Sequence, residues 1–353
     1  MNITFITPAP DLSGGQRVIS IHADELVARG HHVTVVARGH EVVSRRRKLR
    51  NLVRGRILMA PARDTHFDRM KADLIVLPHS NPITAEDVPD ADVVIATWWE
   101  TAFEVMHLPK SKGRKFHFIQ GHEVFSHLPK HISGASYFLP LKRIAISHWL
   151  VELMRDLYGD HDVSLVPNSV DHSLFYSEKR GRQDVPVVGL MYASAHAKGV
   201  DIALRAIEKA QREHPSLRVI AFGAEPPTRG LPLPKGAEFH LRPPQAFLRE
   251  LYSRCDVFVA ASRSGGAGLP IFEAMACRTP VVATLNHSAK SQIENGRNGF
   301  SVDVEDYDSL GTCISSVLSM SDDCWRSMSQ AAYDKSLETS WESSTALFEK
   351  ALL

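Results

Sequence analysis

Short apolar stretches alternate with longer amphipathic ones along the whole chain. Each apolar stretch is bounded by turn residues, as the buried strands of a parallel sheet are. A first series falls at residues 3–7, 33–37, 74–77, 93–96, 115–119, 144–146 and 164–166, and a second at 187–191, 218–222, 238–241, 257–260, 281–283 and 299–302. Helical periodicity is clearest between them, at 18–28 and 148–157. The alternation predicts right-handed βαβ units and two doubly wound α/β halves in series.

A polar stretch separates the two series. Residues 176–184 have no apolar period, so we place a linker near 174–185. A chain of 353 residues is also too long for one ordinary core. We predict a Rossmann-like domain over 1–175, a second over 185–335, and a C-terminal helix over 336–353 that packs back on the first domain. Such sheets bind ligands beyond the carboxyl ends of their strands, so we expect the site in a cleft between the domains.

Composition excludes several classes of protein. A net charge of +1 gives no global field for nucleic acid, which is therefore an unexpected partner. The four cysteines form no CxxC pair, which favours buried thiols over disulfides or a zinc ribbon. The N-terminus turns polar after six residues, and no apolar run is long enough to span a bilayer. We expect a cytoplasmic protein.

Two glycines follow the first predicted strand. Gly14 and Gly15 open a helix, where a small backbone and free N–H groups suit a phosphate or an anionic reacting group. The pair can equally make only a tight turn. A dinucleotide site would need GxGxxG here and an acidic residue ending the second strand, but that strand ends in Ala37 and Arg38. NAD binding is therefore disfavoured.

The strongest local signal is a glycine-rich loop at residues 260–276, between a buried strand and a helix. Pro270 stands where a first helical turn tolerates it, so N–H groups between Gly268 and Ile271 can face a diphosphate. Glu273, one turn into the helix, can accept hydrogen bonds from both hydroxyls of a ribose. The alternative is a solvated first-turn glutamate, which the helix dipole also favours.

This loop resembles the donor loop of family 4 of the retaining glycosyltransferases, whose pattern is Glu, Gly, Phe, Gly, Leu, Pro, two residues, Glu, then Ala-Met-Ala. Similar stretches occur in the family's order at 14–15, 29–33, 145–147, 167–171, 198–201, 296–300 and 340–342. Together they cover nearly the whole chain, which is more specific than any single motif. The resemblance implies the GT-B fold and transfer of a sugar from a nucleotide-diphosphate sugar to an acceptor hydroxyl, with retention. The string from His122 to His127 has one residue too many for the HExxH zinc signature, so we predict no metal.

The resemblance also implies roles for individual residues. Lys198 would neutralise the donor diphosphate as charge develops on the leaving group, Glu273 would hold the ribose, and His122 would hydrogen-bond a sugar hydroxyl or shuttle a proton. Gln120 and Glu123 could replace His122, and each of these side chains could instead be an ordinary surface or loop residue. The predicted donor set is Gly14, Gly15, Asn168, Ser194, Lys198, Arg263, Ser264, Gly265, Gly266, Gly268, Leu269, Pro270 and Glu273.

Two positions depart from the family pattern. Gly265 stands where the family has its first Glu, which normally faces the transferred sugar, and Ala267 replaces the usual Phe. Ala193 stands where the family commonly has an arginine about five residues before the lysine. Arg263 and Ser264 are candidates to compensate. These departures leave open a non-catalytic protein that binds a nucleotide sugar or glycan. A sugar-nucleotide epimerase or glycoside phosphorylase is a third reading, disfavoured by the transferase-like ending around Trp341.

The acceptor side has two candidate features. Trp98, Trp99 and Glu100 follow a buried strand, and sugars stack on aromatic faces, although core packing is the simpler explanation for at least one tryptophan. A basic segment contains Arg45, Arg46, Arg47, Lys48 and Arg50. It predicts a peripheral contact with an anionic membrane near a lipid-linked acceptor, with a phosphodiester contact or a solvated charged face as alternatives. The acceptor itself is a glycan, a lipid-linked sugar or a small molecule.

Overall fold

The chain folds into two compact units. A computed structural model describes residues 1–40, 65–125, 128–264, 268–285 and 289–353. The first unit comprises Met1–Pro167 together with Trp341–Leu353, and the second comprises Asn168–Ser340. Both are layered α/β structures, as the alternating pattern of the sequence predicts.

The first unit is built on a parallel seven-stranded sheet in the order β3-β2-β1-β4-β5-β6-β7. Its strands are β1 Asn2–Thr7, β2 His32–Ala37, β3 Asp73–Val76, β4 Val93–Ala96, β5 Arg114–Ile119, β6 Lys142–Ala145 and β7 Val163–Leu165. The helices that accompany them are α1 Gly14–Ala28, α2 Trp99–His107, α3 Lys130–Ala135 and α4 His148–Tyr158. The sheet order reverses beside β1, between β1 and β4.

The second unit has a parallel six-stranded sheet in the order β10-β9-β8-β11-β12-β13. Its strands are β8 Val187–Met191, β9 Arg218–Gly223, β10 Glu238–Leu241, β11 Val257–Ala260, β12 Val281–Thr284 and β13 Gly299–Val302. Its helices are α5 Val200–Glu213, α6 Gln245–Ser253, α7 Leu269–Ala276, α8 Ala289–Gln292, α9 Tyr307–Leu318 and α10 Asp322–Ser336. Here the order reverses between β8 and β11. Every predicted apolar stretch overlaps an observed strand, so the doubly wound α/β prediction is confirmed.

The last helix, α11 Trp341–Leu352, belongs to the first unit. Phe348 lies against Phe118, with ring centroids 4.9 Å apart, and against the buried ring of His22 at 4.7 Å. The imidazole of His22 also shares a hydrogen bond of 2.8 Å with the Thr345 hydroxyl. These buried contacts, rather than chain connectivity, fasten the end of the chain to the N-terminal sheet.

The stretch that we predicted as a linker is bound to the second unit. The guanidinium of Arg180 donates to the Thr279 hydroxyl (2.9 Å) and lies 4.6 Å from the ring of Trp325. The carboxylate of Asp256 accepts hydrogen bonds from the backbone N–H groups of Gln183 and Val187, each at 2.8 Å. Polar side chains hold this stretch in place, which explains why it lacks an apolar period. Of the helices in the described ranges, none is long and apolar enough to span a bilayer.

Candidate functional site

The residues with the clearest predicted roles follow two neighbouring strands of the second sheet. β8 and β11 pair in parallel at the reversal of the strand order, so the segments that follow them leave from the same edge. β8 leads to a 3₁₀ turn at His196–Lys198, and β11 leads through residues 261–264 towards α7. Open α/β sheets bind their ligands at this kind of position. Lys198 and the described part of the predicted donor loop therefore arise at the expected place.

Lys198 ends a turn that approaches the backbone after β11 very closely. Gly199 has φ +60°, and a Cβ added there would lie 1.8 Å from the carbonyl oxygen of Ala261, so only glycine permits this approach. Lys198 itself is exposed, yet desolvation by the surrounding protein lowers the pKa of its ammonium. Within the described ranges no carboxylate is paired with it. The ammonium is thus a cation without a counter-ion among these residues, on a turn that contacts the backbone of the segment after β11.

The guanidinium of Arg263 is fully engaged. It pairs with both oxygens of Asp201, at 2.7 and 2.6 Å, and with both oxygens of Glu305, one of them at 2.9 Å. A further N–H donates to the carbonyl oxygen of His196 at 2.9 Å. Arginine has five N–H donors, and these contacts use all of them. The carboxylates also raise the pKa of Arg263. The arginine that we predicted as a donor ligand is therefore directed at two carboxylates and the turn before Lys198.

Helix α7 begins at the described end of the donor loop. Gly268 has φ +62° and precedes the first turn, which contains Pro270. The N–H of Ile271 already donates to the carbonyl oxygen of Gly268 at 2.9 Å, and proline has none, so the N–H groups of Gly268 and Leu269 are the ones left for an anion. The predicted loop residues Gly265 and Gly266, and with them Ala267, lie outside the described residues.

Glu273 is buried on α7, with 3% of its surface exposed. Its Oε2 accepts a 2.7 Å hydrogen bond from the hydroxyl of Tyr252, a fully buried residue of α6. Burial excludes the solvated first-turn glutamate that the sequence left open. Tyr252 fixes the orientation of this carboxylate, and no motif of the sequence pointed to it.

The other predicted donor residues are placed less specifically. The exposed Ser194 donates its N–H to Glu225 at 2.5 Å. The N–H of Ser264 donates to the carbonyl oxygen of Ala197 at 3.3 Å, so its backbone supports the turn that carries Lys198. Asn168 is buried, and its side-chain amide has no hydrogen-bond partner among the residues whose positions are described.

The first sheet has its own reversal point, where the glycine pair lies. The side chain of Gln16 braces the loop after β1: it accepts from the N–H of Asp11 at 2.7 Å and donates to the carbonyl oxygen of Ala9 at 2.8 Å. Gln120, at the end of β5, donates to the carbonyl oxygen of Gly15 at 3.1 Å. The loop is therefore held by side chains and not by the two glycines.

Replacement of Gly15 by alanine tests whether the glycine serves a ligand. An added Cβ would meet the side chain of Gln120 at 3.5 Å, an ordinary contact, so the fold does not need a glycine there. Alanine in a helix should raise the free energy of unfolding by about 0.5–1 kcal/mol. We expect this gain together with a loss of about tenfold in kcat/KM if a substrate approaches the backbone. Urea unfolding and steady-state assays measure the two effects.

The matched control is Gly30→Ala. Gly30 has φ +88° with open space around it, so alanine there should lower stability without changing activity. A Gly15→Ala protein that is more stable and fully active would mean that the glycine pair only makes a turn.

His122 lies in a small aromatic cluster after β5. Its Nε2 shares a 2.7 Å hydrogen bond with the hydroxyl of Tyr158, and its ring centroid is 5.6 Å from that of Tyr137. Glu123 is buried beside it and accepts the N–H of Trp99 at 2.6 Å, at the start of α2. Burial raises the pKa of the Glu123 carboxyl well above its ordinary value. The sequence offered Glu123 as an alternative to His122. In the structure Glu123 is a buried carboxyl group with a raised pKa.

The predicted acceptor residues have different environments. Trp99 is buried and packs edge-on against Phe103, so it belongs to the core and offers no face for sugar stacking. Trp98 is half-buried, and Glu100 pairs with Arg38 at 3.2 Å. Of the two predicted tryptophans, Trp98 is the one whose ring is partly exposed and could stack on a sugar. The basic segment with Arg45, Arg46, Arg47, Lys48 and Arg50 lies outside the described residues.

The buried cysteines of the second unit are not reactive groups. Burial raises the pKa values of Cys255 and Cys277 to about 12, so both stay protonated near neutral pH. Among the described residues no group of three or more His, Cys, Asp or Glu side chains is placed to hold a metal ion.

The second unit is similar to a known protein family. Residues 175–335 match the family described as glycosyl transferases group 1. This part of the chain is similar to that family. The matched residues contain both strands of the reversal point, Lys198 and the described part of the donor loop.

The chain is similar to several known proteins. It is 29% identical over 225 residues to the O-antigen biosynthesis protein RfbC of Myxococcus xanthus; that alignment covers 60% of this chain but 17% of the relative, so the chain spans less than a fifth of it. Solved structures with a similar fold cover almost the whole chain, and two of them serve as examples. They are sucrose-phosphate synthase from Thermosynechococcus elongatus (17% identity, TM-score 0.77, 99% and 98% of the two chains) and HepE of Anabaena with UDP-glucose (17%, 0.74, 99% of each). At these identities the likeness shows the fold alone, and the fold is GT-B, as predicted.

Proposed function

We propose that this protein transfers a sugar from a nucleotide-diphosphate sugar to an acceptor hydroxyl, with retention of the anomeric configuration. The observation that carries the proposal is the cluster at the reversal point of the second sheet. There a cation with a lowered pKa, Lys198, follows β8, while the start of α7 and the buried carboxylate of Glu273 follow the adjacent β11. The cation and the helix N-terminus suit the diphosphate of such a donor, and the buried carboxylate suits hydrogen bonds from its ribose.

The donor is proposed to bind the second unit. The N–H groups of Gly268 and Leu269 and the dipole of α7 receive the diphosphate, and Glu273, oriented by Tyr252, accepts hydrogen bonds from the ribose. HepE, one of the structures with the same fold, is described in complex with UDP-glucose, which supports a nucleotide sugar as the ligand class. Asn168 and Ser194 remain predicted members of this site.

The reaction needs positive charge where the leaving group departs. Lys198 and the dipole of α7 supply it as the glycosidic oxygen of the diphosphate becomes anionic, and we propose that no metal is required. Retention then follows if the acceptor hydroxyl attacks the face from which the diphosphate leaves. No protein nucleophile has to form a bond to the sugar in this scheme.

The acceptor is proposed to bind the first unit. The loop braced by Gln16, the glycine pair, His122 and Trp98 lie at the carboxyl edge of its sheet, where an acceptor can be held. His122 would bind a hydroxyl of the sugar or carry a proton. A glycan, a lipid-linked sugar and a small molecule all remain candidate acceptors, and the membrane contact through the basic segment stays a prediction.

A second candidate is binding without transfer. Every N–H donor of Arg263 already has a carboxylate or carbonyl partner, which supports the view that Arg263 does not replace the arginine missing at Ala193. A protein of this second kind would bind nucleotides and show no turnover with any acceptor.

Substitution of Glu273 by glutamine tests the donor site. UDP, GDP, ADP and dTDP are added in turn, because a ligand that binds only the folded state raises the unfolding temperature. We expect one nucleotide to stabilise the wild type clearly, and Glu273→Gln to weaken its binding by about tenfold or more, since a hydrogen bond to a charged group contributes about 1.5–3 kcal/mol.

The control for Glu273→Gln is Glu208→Gln, an exposed change on α5 that should leave the shift intact. Tyr252→Phe, which removes only the hydroxyl that orients Glu273, should give an intermediate loss. If no nucleotide stabilises the wild type, the donor site assigned here is wrong. If one does but no acceptor panel yields product, binding without transfer becomes the better description.

A further inference from the structure

We propose that Arg263 is a positioning residue that holds the turn bearing Lys198, and that it does not bind the donor itself. The inference rests on the proposed function, because it says how the cation of that site is kept in place. The group formed by Arg263, Asp201, Glu305 and the carbonyl oxygen of His196 is called the arginine clamp below. It joins three segments that are far apart in the chain.

The clamp fixes the turn through both side-chain and backbone bonds. The guanidinium donates to the carbonyl oxygen of His196, and the backbone N–H groups of Arg263 and Ser264 donate to the carbonyl oxygen of Ala197 at 2.9 and 3.3 Å. The two residues whose carbonyl oxygens accept these bonds, His196 and Ala197, directly precede Lys198. The close approach at Gly199 holds the other side of the turn against Ala261. The lysine backbone is therefore restrained on both sides.

The two carboxylates anchor the guanidinium from opposite segments. Asp201 stands in the first turn of α5, and Glu305 lies in the turn between β13 and α9 with φ +74°, a conformation that non-glycine residues rarely adopt. The guanidinium is only 13% exposed, whereas the carboxylates are 48% and 60% exposed. Both ion pairs use two oxygens, the geometry in which arginine is strongest and lysine cannot substitute.

Charge gives the clamp a second effect. Asp201 and Glu305 are two negative groups near a site that must accept a diphosphate, and Arg263 neutralises part of their charge. Loss of the arginine would release the turn and also leave both carboxylates to repel the donor. Loss of the carboxylates would release the turn but remove the repulsion.

This difference separates positioning from direct binding. If Arg263 reached the diphosphate itself, removing its carboxylate partners would free the guanidinium and strengthen nucleotide binding. If it acts through Lys198, removing the partners weakens binding, because both carboxylates are about half exposed and solvent screens their repulsion of the donor, so release of the turn is the larger effect. Most of that effect disappears once Lys198 is gone.

The experiment measures binding of UDP, GDP, ADP and dTDP by calorimetry to the wild type and to variants of the full chain. The variants are Arg263→Met, Arg263→Lys, Asp201→Asn with Glu305→Gln, Lys198→Met, and Lys198→Met with Arg263→Met. We expect the Asp201→Asn, Glu305→Gln protein to bind the preferred nucleotide at least about threefold more weakly, and Arg263→Met about tenfold more weakly. In the Lys198→Met background, Arg263→Met should weaken binding by less than a further threefold.

The matched control is Arg297→Met. Arg297 is an exposed arginine of the same unit that pairs with Glu294, and this variant should bind the nucleotide as the wild type does.

A second readout does not depend on nucleotide binding. Acetylation of Lys198 with an amine reagent is followed against pH by peptide mass spectrometry in the wild type and in Arg263→Lys, which retains a charge but not the two bidentate pairs. We expect the Lys198 profile to move to higher pH, because the released ammonium regains water. The profile of Lys350, on α11, should not move.

The possible outcomes are distinct. Unchanged or tighter nucleotide binding by Asp201→Asn, Glu305→Gln, or fully additive losses from Lys198→Met and Arg263→Met, would overturn the clamp. An unchanged acetylation profile in Arg263→Lys would overturn it too. Failure of the wild type to bind any nucleoside diphosphate would instead overturn the proposed function, and the acetylation profile would still decide whether Arg263 restrains Lys198.

Discussion

Replacement of Lys198 by alanine is expected to lower kcat by about 10²–10³-fold, the size of effect seen when one group that stabilises developing charge is removed. The reason lies in its surroundings. Desolvation lowers the pKa of the ammonium and the described residues offer it no carboxylate, so its charge is available to a departing diphosphate. KM for the donor should rise less than kcat falls, because charge on the leaving group is greatest in the transition state.

The folding of Lys198→Ala should be normal. The residue is exposed and its ammonium has no carboxylate partner among the described residues, so the unfolding temperature should stay near that of the wild type. Lys209→Ala is the control, since Lys209 lies on α5 of the same unit and donates to the carbonyl oxygen of Asp308 at 2.9 Å. Steady-state rates over a range of donor concentrations give the two constants. Full turnover by Lys198→Ala would remove Lys198 from the mechanism.

Acid is expected to destabilise the first unit through two buried histidines. Burial lowers the pKa of His22, and that of His117, to about 3, so both rings stay neutral in the folded protein. In the unfolded chain they protonate near pH 6.5. Each therefore contributes stability that is complete above about pH 6.5 and is lost as the pH falls below it, at about 1.4 kcal/mol per pH unit, until about pH 3. At pH 5 the loss is about 2 kcal/mol per histidine.

Other groups titrate in the same range, so the effect of His22 has to be isolated. The raised pKa of Glu123 works in the opposite direction: the folded protein keeps that proton to higher pH than the unfolded chain, and stability rises as the pH falls towards about 4.5. His22→Gln keeps a polar group near Thr345 but no longer titrates. Urea unfolding of the wild type and this variant between pH 7.5 and 5 should show the stability difference shrinking by about 2 kcal/mol.

The exposed His131 is the control for the acid measurement. His131→Gln should follow the wild-type pH dependence throughout this range. Parallel curves for wild type and His22→Gln would show that His22 takes up its proton as readily in the folded protein as in the unfolded chain, contrary to its burial.

The sheets could be predicted from the sequence because their pattern is local. A parallel strand covered on both faces needs a continuous apolar run, and stretches such as 257–260 show it directly. The start of α7 could be predicted for the same reason, since Gly268 and Pro270 act on the backbone of adjacent residues. The local pattern did not show that the stretch predicted as a linker is bound to the second unit. Polar side chains such as Arg180 hold it there through partners that are distant in sequence.

The candidate site also contains residues that the sequence indicated and residues that only the structure revealed. The position of Glu273 in the loop and the family resemblance for Lys198 pointed to these two residues, whereas nothing in the sequence pointed to Tyr252 or to the partners of Arg263. Tyr252 lies 21 residues before Glu273, and Glu305 lies 42 residues after Arg263. Contacts over such separations depend on how helices and turns pack on the sheet, which has no periodic signature.

By itself, the sequence determined the two α/β halves, the strand positions, the glycine-rich loop and the residue types that can bind a nucleotide sugar. The halves, the strands and the loop follow from local backbone preference and from the burial of apolar runs, whereas the residues for a nucleotide sugar are what the resemblance to family 4 implies. Only the tertiary structure decided that Glu273 is buried, that Trp99 is a core residue, and that Arg263 faces Asp201 and Glu305. Desolvation and ion pairing depend on neighbours that folding brings together, so they decide the chemistry of a side chain only after the chain has folded.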